Sequence, residues 1–141
     1  MSKGNTFEND VVALIFNATA IADLAENDTT SPATSLTVAL HTADPGETGT
    51  QATNETAYTG YSRVAVARNS GGWTVSNDTV TPTANIDFGE CTASPGGAIT
   101  HFSIGTGVSN KLLYSGTVTP NITMDVGVIP RLKTTSSVVE G

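Results

Sequence analysis

The strongest constraint on this chain is punctuation: from Ser35 onward, short runs of alternating residues are cut by Gly, Pro, Asn and Asp clusters. Alternation places successive side chains on opposite faces of an extended strand, so such a chain is directed toward sheets rather than helices. The clearest pattern runs from Thr34 to Ala67. Ser35–His41 reads as a strand in which Leu36, Val38 and Leu40 share a core-facing side, while Ser35, Thr37, Ala39 and His41 share the other. Asp44-Pro-Gly then stops the strand, since Pro45 presets φ and Gly46 can take positive φ. Residues 46–60 form a polar surface loop, an excursion rather than a hairpin, and Gly60–Ala67 reads as the next strand, with Val64 and Val66 alternating against Arg63, Ala65 and Ala67.

The rest of the chain repeats this grammar. Asn69–Gly72 is expected to turn the chain back into a hairpin strand, Trp73–Val75. Short strands follow at Thr79–Thr81 and Asn85–Phe88, around Pro82. A second hairpin joins Ala98–Gly105 to Lys111–Val118, and Asn121–Val126, Val128–Lys133 and Ser136–Val139 read as edge or bulged strands. Residues 5–18 alone have helical spacing, with Phe7, Val11, Leu14, Ile15 and Ala18 on one face and Asn5 with Glu8 as a capping-box-like start. A brief further turn is expected over 20–25. With 24 threonines and 14 glycines, the chain is predicted to be all-β: a single domain over residues 1–141, a jelly-roll-like two-sheet sandwich with one short N-terminal helix.

Composition excludes several functions. The net charge of −7 lies entirely in residues 1–62, where eight acidic residues face Lys3 alone, while five basic and five acidic residues balance from Arg63 onward. Neither half offers the basic patch that neutralises phosphates, so direct nucleic-acid binding is not expected. The longest apolar stretch, Val11–Phe16, falls far short of the roughly 18 residues of a membrane helix, so no membrane partner is expected. A single cysteine, Cys91, allows no internal disulfide, and the opening residues hold no apolar run for a secretory signal. The expectation is synthesis in a cytoplasm.

Candidate chemistry is sparse. His41, Asp44 and Glu47 lie three residues apart and have the donor types of a metal-dependent hydrolase. A strand-end histidine bonded to a backbone carbonyl is the simpler reading, and no metal or cofactor is expected. Cys91 has no nucleophile motif around it, and neither a Gly-x-Ser-x-Gly elbow nor a phosphate-binding glycine loop is present. Tyr58, Tyr61, Trp73 and Tyr114 are candidates for a sugar-stacking or interface patch. No enzymatic activity is expected.

The segments Leu36–Glu47, Tyr58–Val66, Ser70-Gly-Gly-Trp73, Thr100–Gly105 and Leu112–Gly116 together resemble small tailed-phage virion proteins, variously labelled head-decoration (cement) or tail-fibre proteins. The resemblance covers nearly the whole chain. It implies a structural protein on the outer capsid surface of a virion, made in the bacterial host cytoplasm. Its partners would be the major capsid protein and a second copy in a homodimer, and it would bridge neighbouring capsid subunits. The same resemblance implies, as the alternative, a tail-fibre or receptor-binding module contacting host glycan or protein. In either case the expected partner surface is the long loop and its flanks: Asp44, Glu47, Glu55, Tyr58, Tyr61 and Arg63, with Arg63 pairing to an acidic residue across the sheet.

Overall fold

The computed structural model describes residues 5–21 and 32–141. The described residues contain one helix, α1 (Asn5–Asn17), and nine strands: β1 (Ser35–His41), β2 (Val64–Ala67), β3 (Trp73–Ser76), β4 (Thr79–Pro82), β5 (Ile86–Asp87), β6 (Ile99–Gly105), β7 (Leu112–Ile122), β8 (Arg131–Leu132) and β9 (Val138–Val139). They form sheets of order β2-β1-β6-β7, β3-β4-β9 and β5-β8. The class is all-β with one N-terminal helix, as the punctuation predicts, and is consistent with a sandwich. The turn expected over 20–25 lies, from residue 22 on, outside the described residues.

The chain divides into two compact units. The first comprises the described residues of Met1–Ser35 with Val66–Asn85 and Leu132–Gly141. Here α1 lays Val12 and Phe16, both fully buried, against β3 and β4. Phe16 meets Trp73 edge-to-face with centroids 4.9 Å apart, and burying a side chain of that size stabilises by about 2–3 kcal/mol. The helix stops at Ala18, whose φ of 55° is left-handed. Its last carbonyls are capped from a distance in sequence: Arg68 donates from Nε to Ile15 O at 2.7 Å and from Nη2 to Leu14 O. A guanidinium there satisfies orphan acceptors and opposes the negative end of the helix dipole.

In the same unit β3 and β4 form a hairpin across Asn77-Asp78, with Asn77 at φ 56° and Trp73 opposite Pro82. The hairpin expected one turn earlier does not form. Asn69–Gly72 does bend, with Gly72 and Trp73 N–H both on Asn69 O at 3.0 Å. However, β2 and β3 belong to different sheets, and β3 has β4 as its ladder partner.

The second unit comprises Leu36–Ala65 and Ile86–Arg131. β1 pairs antiparallel with β6 from Thr37↔Gly105 to His41↔His101, and β6 pairs with β7. The predicted hairpin between β6 and β7 is present, turning through Gly107, Ser109 and Asn110 at positive φ. β1 departs from the one-sided pattern. Leu36, Val38 and Leu40 are buried, but so are Ala39 and His41 on the face expected to be polar.

The cause is the long loop. It returns beside β1 instead of making a free excursion: Thr42 N–H bonds to Asn54 O and Thr56 N–H to Leu40 O, each at 2.9 Å, with His41 bridging Glu55. The strand expected from Gly60 begins only at Val64. Gly60 sits at φ 103° against Glu90, where an added Cβ would lie 2.1 Å from the carbonyl oxygen. Asn121–Val126 is likewise not a separate strand. Its first two residues end β7, and the chain then turns at Asp125–Val128 through a 3.1 Å backbone bond.

Candidate functional site

The loop between β1 and β2 is built from short-range bonds that its Thr, Asn and Asp residues make to their own backbone. Asp44 Oδ1 accepts from Gly46 N–H at 2.8 Å, and Gly46 takes the positive φ, 72°, that Pro45-Gly46 anticipates. Thr53 Oγ1 accepts from Thr50 N–H, Thr50 Oγ1 from Ala52 N–H, and Asp44 O from Asn54 Nδ2. Asp44, Glu47, Thr48, Thr50 and Ala52 stay exposed along this loop.

Beneath it lies a fully buried polar network. His41 Nδ1 is 2.9 Å from Thr53 O, which can only accept, so Nδ1 carries the proton and Nε2 accepts from Ser103 Oγ at 2.8 Å. Gln51 Nε2 donates to Thr37 O at 2.8 Å and to Ser103 Oγ at 3.3 Å. His41, Gln51 and Ser103 have no solvent exposure. Burial therefore lowers the His41 pKa below its ordinary value, against the Thr53 hydrogen bond and Glu55, which favour the charged ring. Hydroxyl, imidazole and an orienting carbonyl in line have the connectivity of a nucleophile with its base. With no exposure at either Ser103 or His41, a substrate has no route to them, and the arrangement fastens loop to sheet.

At the open end of β1 is a second cluster. Glu55 accepts from Arg63 through Nε to Oε1 and Nη2 to Oε2, each at 2.7 Å, and from Tyr61 O–H at 2.7 Å. Tyr61 Oη in turn accepts from Leu40 N–H, and Arg63 Nη1 donates to Asn110 Oδ1 at 2.8 Å. Burial pushes the Glu55 carboxyl up, but the Arg63 and Tyr61 hydrogen bonds outweigh it and hold the group below its usual range. Burial raises the Tyr61 phenol, and its bond to Glu55 adds to this. Tyr58 is buried, donates to Gly89 O at 2.7 Å, and is pushed up to about 12 by burial and by Cys91 nearby.

The structure thus sorts the six residues expected at a partner surface. Asp44 and Glu47 are exposed on the loop; Glu55, Tyr61 and Arg63 form a half-buried internal network; Tyr58 is in the core. Arg63 does pair with an acidic residue of the first half, Glu55, but not across a sheet: it lies just before β2, and Glu55 belongs to the loop between β1 and β2. His41, Asp44 and Glu47 do not converge, because both ring nitrogens of His41 are spent on Thr53 and Ser103. The aromatic patch also does not assemble at the surface. Trp73 and Tyr58 are each 2% exposed, and Tyr58 packs at 5.4 Å from Tyr61, which stacks on Phe88.

Sequence reasoning missed Gln51, Ser103 and Asn110. Gln51 is the only glutamine in the chain, the one local signal that the loop holds something other than turn chemistry. The family described as podophage GP4 fiber I protein gp80 matches the chain over residues 3–140. No curated protein matches it.

Proposed function

Because the chain belongs to the podophage GP4 fiber I protein gp80 family, and so is a structural protein of a phage virion, we propose that it is a module of a virion fibre whose exposed loops meet host glycan or protein. The observation that carries this reading is the extent of the match, residues 3–140, which takes in both compact units rather than one.

The site geometry supports a binding role without catalysis. The loop from Asp44 to Asn54 is pre-organised by its own hydrogen bonds and by buried Gln51, so a partner would meet an ordered surface and little ordering entropy would be lost on contact. Asp44 and Glu47 give that surface an acidic character suited to a basic partner. The protein acts without enzymatic chemistry in this reading: Ser103 and His41 are sealed in the core, and the other hydroxyl–imidazole contact, Thr100 Oγ1 to His101 Nδ1 at 2.8 Å, joins chain neighbours in β6. Among the described residues, no helix is long and apolar enough to cross a membrane.

Capsid cementing, with the major capsid protein as partner, rests on the resemblance alone, whereas the matched family is described as a fibre protein. Quantitative mass spectrometry of purified particles separates the two readings. A fibre module is present at a few copies per tail attachment point, whereas a cement protein approaches the copy number of the major capsid protein. The latter result would overturn the proposal.

A further inference from the structure

Every proton in the network under the loop is placed by its two ends. Thr37 O and Thr53 O are backbone carbonyls and only accept. Gln51 therefore presents its amide N–H groups to Thr37 O and Ser103 Oγ, Ser103 donates its proton to His41 Nε2, and His41 Nδ1–H closes on Thr53 O. The chain of bonds starts and finishes in the loop, at Gln51 and Thr53, and passes through Ser103 of β6 and His41 of β1 on the way. Only the neutral imidazole fits it. A proton on Nε2 points at Ser103 Oγ, which already accepts from Gln51. The Ser103 O–H must then turn away, and it is fully buried with no second acceptor among the described residues.

Little else holds the middle of the loop to the sheet. Between Asp44 and Asn54, the one further hydrogen bond to the rest of the fold among the described residues is Gln51 N–H to Asn110 O at 3.0 Å. Gly49, Thr50 and Ala52 bond within the loop. Gln51 Oε1 is buried without a partner, so the closed loop carries an unmet acceptor even when His41 is neutral. Around the ring, burial is the largest influence and opposes a charge. Glu55 in the loop favours one, whereas Arg63 before β2 and His101, directly opposite on β6, oppose it.

We infer that His41 is an acid-released latch: protonation of its ring frees residues 46–54 from β1 and β6 while the sheet stays folded. The opened loop lets His41 titrate at its ordinary 6.5, and the closed loop holds it lower. The open state therefore binds the proton more tightly, and opening gains about tenfold for each pH unit below 6.5 until the closed-state value is reached. Burial raises the Glu55 carboxyl, but its bonds to Arg63 and Tyr61 hold it below 4.5, so between pH 6.5 and 4.5 the change belongs to histidine. In the fibre reading above, release withdraws the ordered acidic surface of Asp44 and Glu47 from its partner. The release itself is a property of the loop and does not depend on that reading.

Amide hydrogen exchange on the full chain, followed by NMR from pH 7 to 4.5 and corrected for intrinsic rates, tests it. Protection of the Gly49, Gln51 and Thr53 amides falls about tenfold or more over this range, while the amides of the β1–β6 ladder keep theirs. His41→Gln, which retains a hydrogen-bonding side chain without a titrating ring, abolishes the pH dependence of loop protection, and His101→Gln leaves it in place. A wild-type readout stands beside the variants: the imidazole nitrogen signals of His41 show the Nδ1–H tautomer at pH 7, and its protonation coincides with the loss of loop protection. Loop protection that is flat with pH, a loss in parallel with the β1–β6 ladder, a pH dependence removed by His101→Gln, or a His41 ring that titrates while the loop stays protected would each overturn the inference.

Discussion

Replacing Arg63 with alanine removes three N–H donors at once, the two on Glu55 and the one on Asn110, and leaves the Glu55 carboxylate with Tyr61 as its remaining side-chain donor. The side chains of the pair are 21% and 18% exposed, between the surface regime, worth up to about 1 kcal/mol, and the buried regime, where losing one partner costs about 3–5 kcal/mol. The expected loss for Arg63→Ala is therefore roughly 2–3 kcal/mol at pH 7. Its pH dependence follows from Glu55, whose folded pKa is depressed below the ordinary 4.5. The contribution is fully present above that ordinary value and is lost as pH falls through the folded value. Urea unfolding followed by circular dichroism should therefore show the gap between wild type and Arg63→Ala largest at pH 7 and closing toward pH 3. A loss under about 0.5 kcal/mol at pH 7, or a gap independent of pH, would refute the reasoning.

The buried histidine gives a second acid transition. Burial depresses the folded pKa of His41, so its neutral-state stabilisation is complete above 6.5 and is lost as pH falls through the folded value; His41→Gln should flatten the decline in urea midpoint below pH 6.5, and an unchanged slope would place the titration elsewhere. Arg68→Ala uncaps the Leu14 and Ile15 carbonyls and should cost about 1–3 kcal/mol with a loss of helical circular dichroism, while Arg68→Lys restores only part of it. Gly60→Ala adds both a Cβ at 2.1 Å from Glu90 O and strain at φ 103°, and should lower stability by more than about 2 kcal/mol in thermal unfolding.

What was legible in the sequence was local. β1 is bounded because alternation and Asp44-Pro-Gly agree, the β6–β7 hairpin because alternation flanks the polar turn at 107–110, and α1 because helical spacing follows a capping-box-like start at Asn5 and Glu8. The failures all lie where tertiary contact overrides local pattern. Asn69–Gly72 has hairpin composition, but which strand β3 pairs with is decided by the two-residue connection at Asn77-Asp78. Gly60–Arg63 alternates like a strand, yet the backbone of Glu90 lies where pairing would need space. The face of His41 and Ala39 reads as solvent-facing because the residue that covers it, Gln51, sits in a Thr/Asn loop and carries no apolar signal. Arg63 and Glu55 were each legible as partner-surface candidates, but their bonds to each other, Tyr61 and Asn110 exist only in three dimensions. A charged residue near a loop looks the same in sequence whether it faces a partner, its own fold or both.

The central claim, a fibre module in the virion, is tested most directly by imaging infectious particles with this chain tagged at its C-terminus and labelled with gold. The account predicts label on fibres at the tail end of the particle and a bare head. Label distributed over the head shell would contradict it.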